Sequence, residues 1–99
     1  MNYRIKVHSH PNETILAVCD EDILGQTFRG DGLRIKVLEN FYGGDIVDEE
    51  GLIRAFDSFT VLNIVGNSAV ELAVARGIVE PDRVLVIGGV KHAQAVTLR

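Results

Sequence analysis

Residues 60–87, TVLNIVGNSAVELAVARGIVEPDRVLVI, constrain the fold more than any other stretch of the chain. The apolar run 60–65 has the length and β-branched content of a buried strand. Gly66-Asn67-Ser68 then opens a helix over 68–76, with Ser68 and Glu71 spaced as a capping box and Gly77 placed as its C-terminal stop. Pro81-Asp82 turns the chain into a second β-branched run, 84–87. Strand, helix, strand is a βαβ unit, so the two strands are expected to run parallel with a right-handed crossover. Continuous apolar runs fit strands buried on both faces.

The N-terminal half reads differently. Residues 3–8 alternate, with Tyr3, Ile5 and Val7 on one face and Arg4, Lys6 and His8 on the other. That pattern predicts a half-exposed strand. Pro11-Asn12 is a turn, and 14–19 a second strand completing a hairpin. Asp20-Glu21-Asp22 suits the start of a short helix ending near Gly25 or Gln26. Residues 33–38 alternate again and predict a third strand. Asp48-Glu49-Glu50 suggests another helix start, followed by an apolar stripe of Leu52, Ile53, Phe56 and Phe59. After Gly88-Gly89, a final strand is expected over 93–98. The expected architecture is therefore α/β, in the mixed α+β sense: a small mixed sheet with a C-terminal right-handed βαβ unit and helices on at least one face.

Ninety-nine residues, 46% hydrophobic and 24% charged, make one globular domain spanning 1–99. A single cysteine forms no internal disulfide. The opening residues MNYRIKVHSH lack the apolar core of a signal peptide. No apolar run reaches the ~20 residues of a membrane span. A soluble, cytoplasmic protein with no membrane association is expected. The net charge of −4 argues against a generic nucleic-acid binder but leaves room for a local basic patch.

Chemistry has few places to sit. If the strands 60–65 and 84–87 are parallel, their C-terminal ends share one edge of the sheet. Gly66, Asn67 and Ser68 then approach Gly88, Gly89, His92 and Gln94, at the place where open α/β sheets bind ligands. The amides at the helix start either hold an anion or are simply capped. Asn63, inside an apolar run, must be hydrogen-bonded or face a pocket. Lys91 either holds an anion or is solvated. His92 is a candidate acid–base group, and Cys19, at a strand-to-helix junction, a candidate reactive thiol; the competing readings are a bonded turn histidine and an inert buried cysteine. His8, His10 and Cys19 lack a recognised zinc spacing, so no metal is expected, and no cofactor motif is present. Arg4, Lys6, Arg34 and Lys36 would make a basic face if strands 3–8 and 33–38 were neighbours. With Phe41 and Tyr42 beside it, that face could hold RNA; otherwise it is a solvated sheet surface.

The blocks AVCDEDILGQTF, ENFYGG, NIVGN and GGVKHAQA, in this order and spacing, resemble a family of small archaeal proteins catalogued as a domain of unknown function (number 424 in that series). The resemblance spans nearly the whole chain. It implies a short, single-domain, cytosolic archaeal protein and assigns no catalytic residue. A proline is expected at the position of Lys91, which weakens any essential role for that lysine. The leading expectation is a non-catalytic binding or adaptor module whose partner is RNA or a protein of the translation machinery. The alternative is a small enzyme or small-anion binder at the strand ends, built on Asn67, Ser68 and His92. A third possibility is a homo-oligomer in which the final strand joins another chain's sheet.

Overall fold

A computed structural model describes residues 1–97. The core is a six-stranded mixed sheet in the order β5-β1-β2-β6-β8-β7. Strands β1 (Tyr3–His10) and β2 (Glu13–Asp20) form the expected hairpin across Pro11-Asn12, in register from Tyr3↔Asp20 to His10↔Glu13. β2 then pairs in parallel with β6 (Val61–Val65). Strands β2 and β6 carry the central burial: Leu16, Val18, Leu62 and Ile64 face one side, and Ala17, Cys19 and Val65 the other.

Between these strands come six short elements, one of them a 3-10 turn. β3 (Thr27–Gly30) and β4 (Leu33–Lys36) form a separate two-stranded hairpin. The α1 turn (Glu39–Tyr42) follows, and β5 (Asp45–Val47) pairs antiparallel with β1 at the sheet edge. Helix α2 (Glu49–Ala55) is capped by Asp48, whose Oδ1 accepts from the Gly51 amide at 2.9 Å. Residues 20–26 do not form the helix their acidic start suggested. Only Glu21–Ile23 make a 3-10 turn, because Gly25, at φ +86, breaks the run and the chain turns directly into β3.

Helix α3 (Asn67–Ala75) links β6 to β7 (Leu85–Ile87). It ends as a Schellman motif: Gly77 sits at φ +73, Ile78 N bonds Ala73 O, and Gly77 N bonds Val74 O. β6 and β7 do run in the same direction, since each is antiparallel to the strand lying between them, β8 (Val90–Val96). The parallel partner of β6 is β2, not β7. The cause is Gly88-Gly89, with φ of +57 and +82. Two successive left-handed residues make the tight hairpin turn whose twist matches paired strands. The chain therefore folds straight back, and β8 inserts beside β6. β8 accordingly starts at Val90 rather than Ala93; the expected end of the strand at Leu98 lies outside the described residues. The final strand is an inner strand, and the sheet edges are β5 and β7.

One face of the sheet, carrying Leu16, Val18, Leu62 and Ile64, is covered by α2 and α3, which contribute Leu52 and Val70 to the same core. The other is covered by α1 and the β3–β4 hairpin, which bring Val37, Tyr42, Phe28 and Ile35 onto Ala17, Cys19 and Val65. Each fully buried leucine or isoleucine contributes about 1.5–3 kcal/mol relative to exposure. The two-sided covering is what the continuous apolar runs of β2 and β6 require.

Candidate functional site

The two turns at the end of β6 and the start of β8 meet as the chain order suggested. Asn67 pairs its side-chain amide with the hairpin backbone: Nδ2 donates to Gly89 O at 3.2 Å, and Oδ1 accepts from Lys91 N at 2.8 Å. Gly66 N donates to Lys91 O at 2.9 Å. Asn67 thus acts as a stitch between helix and hairpin, with both amide functions engaged.

The helix start is already occupied. Asp20, at the end of β2, accepts from the Ser68 amide at Oδ2 (3.1 Å) and from the Ala69 amide at Oδ1 (2.8 Å). Ser68 Oγ lies 2.7 Å from Tyr3 Oη. The cap comes from 48 residues away in sequence, and neither Asn67 nor Ser68 nor a Ser68/Glu71 box supplies it. An external anion at these amides would meet a carboxylate instead of free N–H groups. Gly66, at φ +119, lets the carboxylate approach: a Cβ there would lie 2.5 Å from Asp20 Cγ. Asp20 is 5% exposed, and burial pushes its pKa above the ordinary 3.8, against the pull of the two amide bonds. Around it lies a cavity of about 640 Å³ whose carboxyl groups are Asp20, Asp22, Glu49 and Glu71.

Cys19 and His92 do not form a nucleophile pair. Cys19 is fully buried, and burial pushes its thiol up to about 12, leaving it protonated and unreactive. The helix expected beyond it, whose N-terminus was to lower that pKa, is absent. His92 stands on β8 opposite Val65, with β6 between it and β2. Its Nε2 donates instead to Asn63 Oδ1 at 3.0 Å, and Tyr42 Oη donates to the same oxygen at 2.9 Å. This relay answers why Asn63 interrupts an apolar strand: it joins α1 to β8. Burial lowers the His92 pKa below 6.5. His92 and Gln94 line a depression of about 250 Å³ with Arg83, Leu85 and Ala93. Gly66, Asn67 and Ser68 line the larger cavity beside Asp20, so the expected common rim divides into two places.

The expected basic face also divides. β1 and β4 are not neighbours: among the described residues β1 pairs with β2 and β5, and β4 with β3 alone. Arg4 Nη1 donates to Gly44 O at 3.2 Å, and its Nε lies 3.8 Å from Glu21 Oε1. Lys6 Nζ donates to Asn40 O at 2.9 Å. Tyr42 is 5% exposed and bonded through its hydroxyl, so it presents no ring for a base. His8 stacks on Phe41 at 4.8 Å and donates to its carbonyl at 2.9 Å; among the described residues no group of three His, Cys, Asp or Glu is placed to hold a metal ion. Arg34 and Lys36 do share a face, and Arg29, which the sequence pattern had not been expected to place there, joins them. Phe28 and Ile35 point inward, which turns Thr27, Arg29, Arg34 and Lys36 outward. Arg29 is directly opposite Arg34, and Lys36 opposite Thr27. All three cations are exposed and, among the described residues, none pairs with a carboxylate. The alternation Thr27-Phe28-Arg29 is the signal that could have found it.

Fold and surface define a small mixed α+β protein: a six-stranded sheet covered by helices on one side and by a basic hairpin on the other. The chain belongs to the family described as "Protein of unknown function (DUF424)", whose model matches residues 8–98. A solved structure, that of an uncharacterized conserved protein from Methanopyrus kandleri, is similar to it with a TM-score of 0.80 and 23% identity, over 100% of this chain and 96% of that one. That likeness establishes the fold. No curated protein matches the chain. Among the described residues, no helix is long and apolar enough to cross a membrane.

Proposed function

We propose that the protein is a non-catalytic, cytosolic binding module that holds RNA by its phosphate backbone on the outer face of the β3–β4 hairpin. One observation carries the reading: Arg29 and Arg34 are directly opposed across the hairpin, with Lys36 on the same face and no carboxylate paired to any of them among the described residues. Like charges directly opposite are destabilising. An anion between them reverses that sign. Phosphate backbones supply such anions at regular spacing and bind with release of counterions. The remainder of the chain is acidic, and the net charge of −4 disfavours other modes of contact with a polyanion. A catalytic reading has less support: the thiol is buried and protonated, and the helix amides are taken by Asp20.

The test is fluorescence anisotropy with a labelled single-stranded RNA. R34E/K36E should weaken binding by at least about tenfold, the scale of two lost phosphate contacts. R4E/K6E should leave it within about twofold, since those side chains are engaged with the protein's own backbone. Equal losses from both pairs, or none from the hairpin pair, would reject the assignment.

A further inference from the structure

The depression beside His92 is separate from the hairpin face and joins a fixed imidazole to two donors. Arg83, from the 3-10 turn Pro81–Arg83, and Gln94, on β8, line it with His92. Arg83 is exposed and unpaired among the described residues, and Gln94 is exposed. Glu80 lines the adjoining cleft but not this one. His92 is held from behind by the Tyr42–Asn63 relay. Because Nε2 donates to Asn63 Oδ1, the other ring nitrogen, Nδ1, carries a lone pair when the ring is neutral. Nδ1 has no protein partner among the described residues and is not a buried orphan, so it opens to solvent. A rigid acceptor therefore stands beside a guanidinium and a carboxamide. Such positioning of a small polar set around a concave surface is the pattern of a ligand site.

We propose that Arg83, His92 and Gln94 bind a phosphate monoester. Its oxygens accept from the Arg83 guanidinium and the Gln94 amide, and one proton is held between a phosphate oxygen and His92 Nδ1. A phosphate monoester has its second pKa near 6, so it keeps or recovers that proton near neutrality. A carboxylate, with a pKa near 4, has no proton to offer and would set its charge against the nitrogen lone pair. The site therefore prefers phosphate to carboxylate. This assignment does not depend on the hairpin reading.

The experiment is titration with inorganic phosphate at pH 7, followed on the ring protons of the chain's three histidines. The His92 signals should shift and saturate, while those of His8 and His10 stay in place. R83Q and Q94A should each weaken the apparent affinity, R83Q by about tenfold or more as a charge-assisted contact is lost. Acetate at equal concentration should shift His92 far less. R29E/R34E should leave the titration unchanged, which separates this site from the hairpin face. Equal shifts at all three histidines, an R83Q titration like that of the wild type, or acetate as effective as phosphate would overturn the proposal.

Discussion

Replacing Asp20 tests how this fold holds its longest helix. The carboxylate accepts from two amides at the start of α3, and Ala69 is fully buried. In D20A both amides lose their partner. Loss of an N-cap costs about 0.5–2 kcal/mol, and a buried unsatisfied donor about 1–3 kcal/mol. Part is returned because a buried charge no longer has to be desolvated. The expected net cost is about 2–4 kcal/mol, a large share of the roughly 5–15 kcal/mol that holds a small domain folded. D20N keeps one carbonyl acceptor and should cost about half as much. Urea denaturation reads this directly. With a slope of about 1–3 kcal/mol per M, D20A should lower the midpoint by about 0.7–4 M at constant slope. Gly66 supplies the control. G66A places a methyl against the Asp20 carboxyl, so it should be strongly destabilising alone and less so in a D20A background. A coupling of about 1 kcal/mol is expected, the remaining cost being the positive φ. A D20A midpoint within error of the wild type, or strictly additive substitutions, would refute the capping account.

Other consequences can be checked together. The raised pKa of Asp20 means that, between its ordinary 3.8 and its folded value, the native state holds a proton the unfolded chain has released. Stability from this group is therefore present below pH 3.8 and lost as pH rises through the folded value, so wild type should gain on D20N as pH falls through that window in paired urea titrations. Cys19, with its thiol pushed up to about 12, should resist an aromatic disulfide reagent in native buffer and react at once in denaturant; rapid native labelling would contradict its burial. Y42F removes the hydroxyl bonded to Asn63 and should cost about 1 kcal/mol in thermal unfolding. G88A, at φ +57 with a Cβ 2.7 Å from Arg29 O, should cost about 2 kcal/mol or more, because it strains the turn and pushes against the hairpin together.

Local patterns carried much of this fold. The apolar runs of β2 and β6, the Gly77 stop and the meeting of Gly66-Asn67-Ser68 with the second glycine turn are all legible along the chain. What escaped was tertiary. Asp20 reads as a helix-start residue of its own segment, yet it caps a helix 48 positions further on. Gly88-Gly89 reads equally as a strand end or a hairpin turn, and only the pairing of β8 with both β6 and β7 separates the two. Arg4 and Lys6 alternate as a solvated face should, but α1 and the glycine loop after it supply carbonyls that engage both. Asn63 was recognisable as a buried amide in need of partners; that they are Tyr42 and His92 depends on which strand lies beside β6.

Phosphate binding on the β3–β4 hairpin is read out by the salt dependence of RNA affinity. For single strands, log K falls with log salt at about −0.7 per phosphate contact, so three hairpin cations predict a slope near −2. R29Q/R34Q/K36Q should abolish most of that slope along with most of the affinity, with the folded structure retained. A triple variant that keeps both the slope and the affinity of the wild type would contradict phosphate binding on the hairpin.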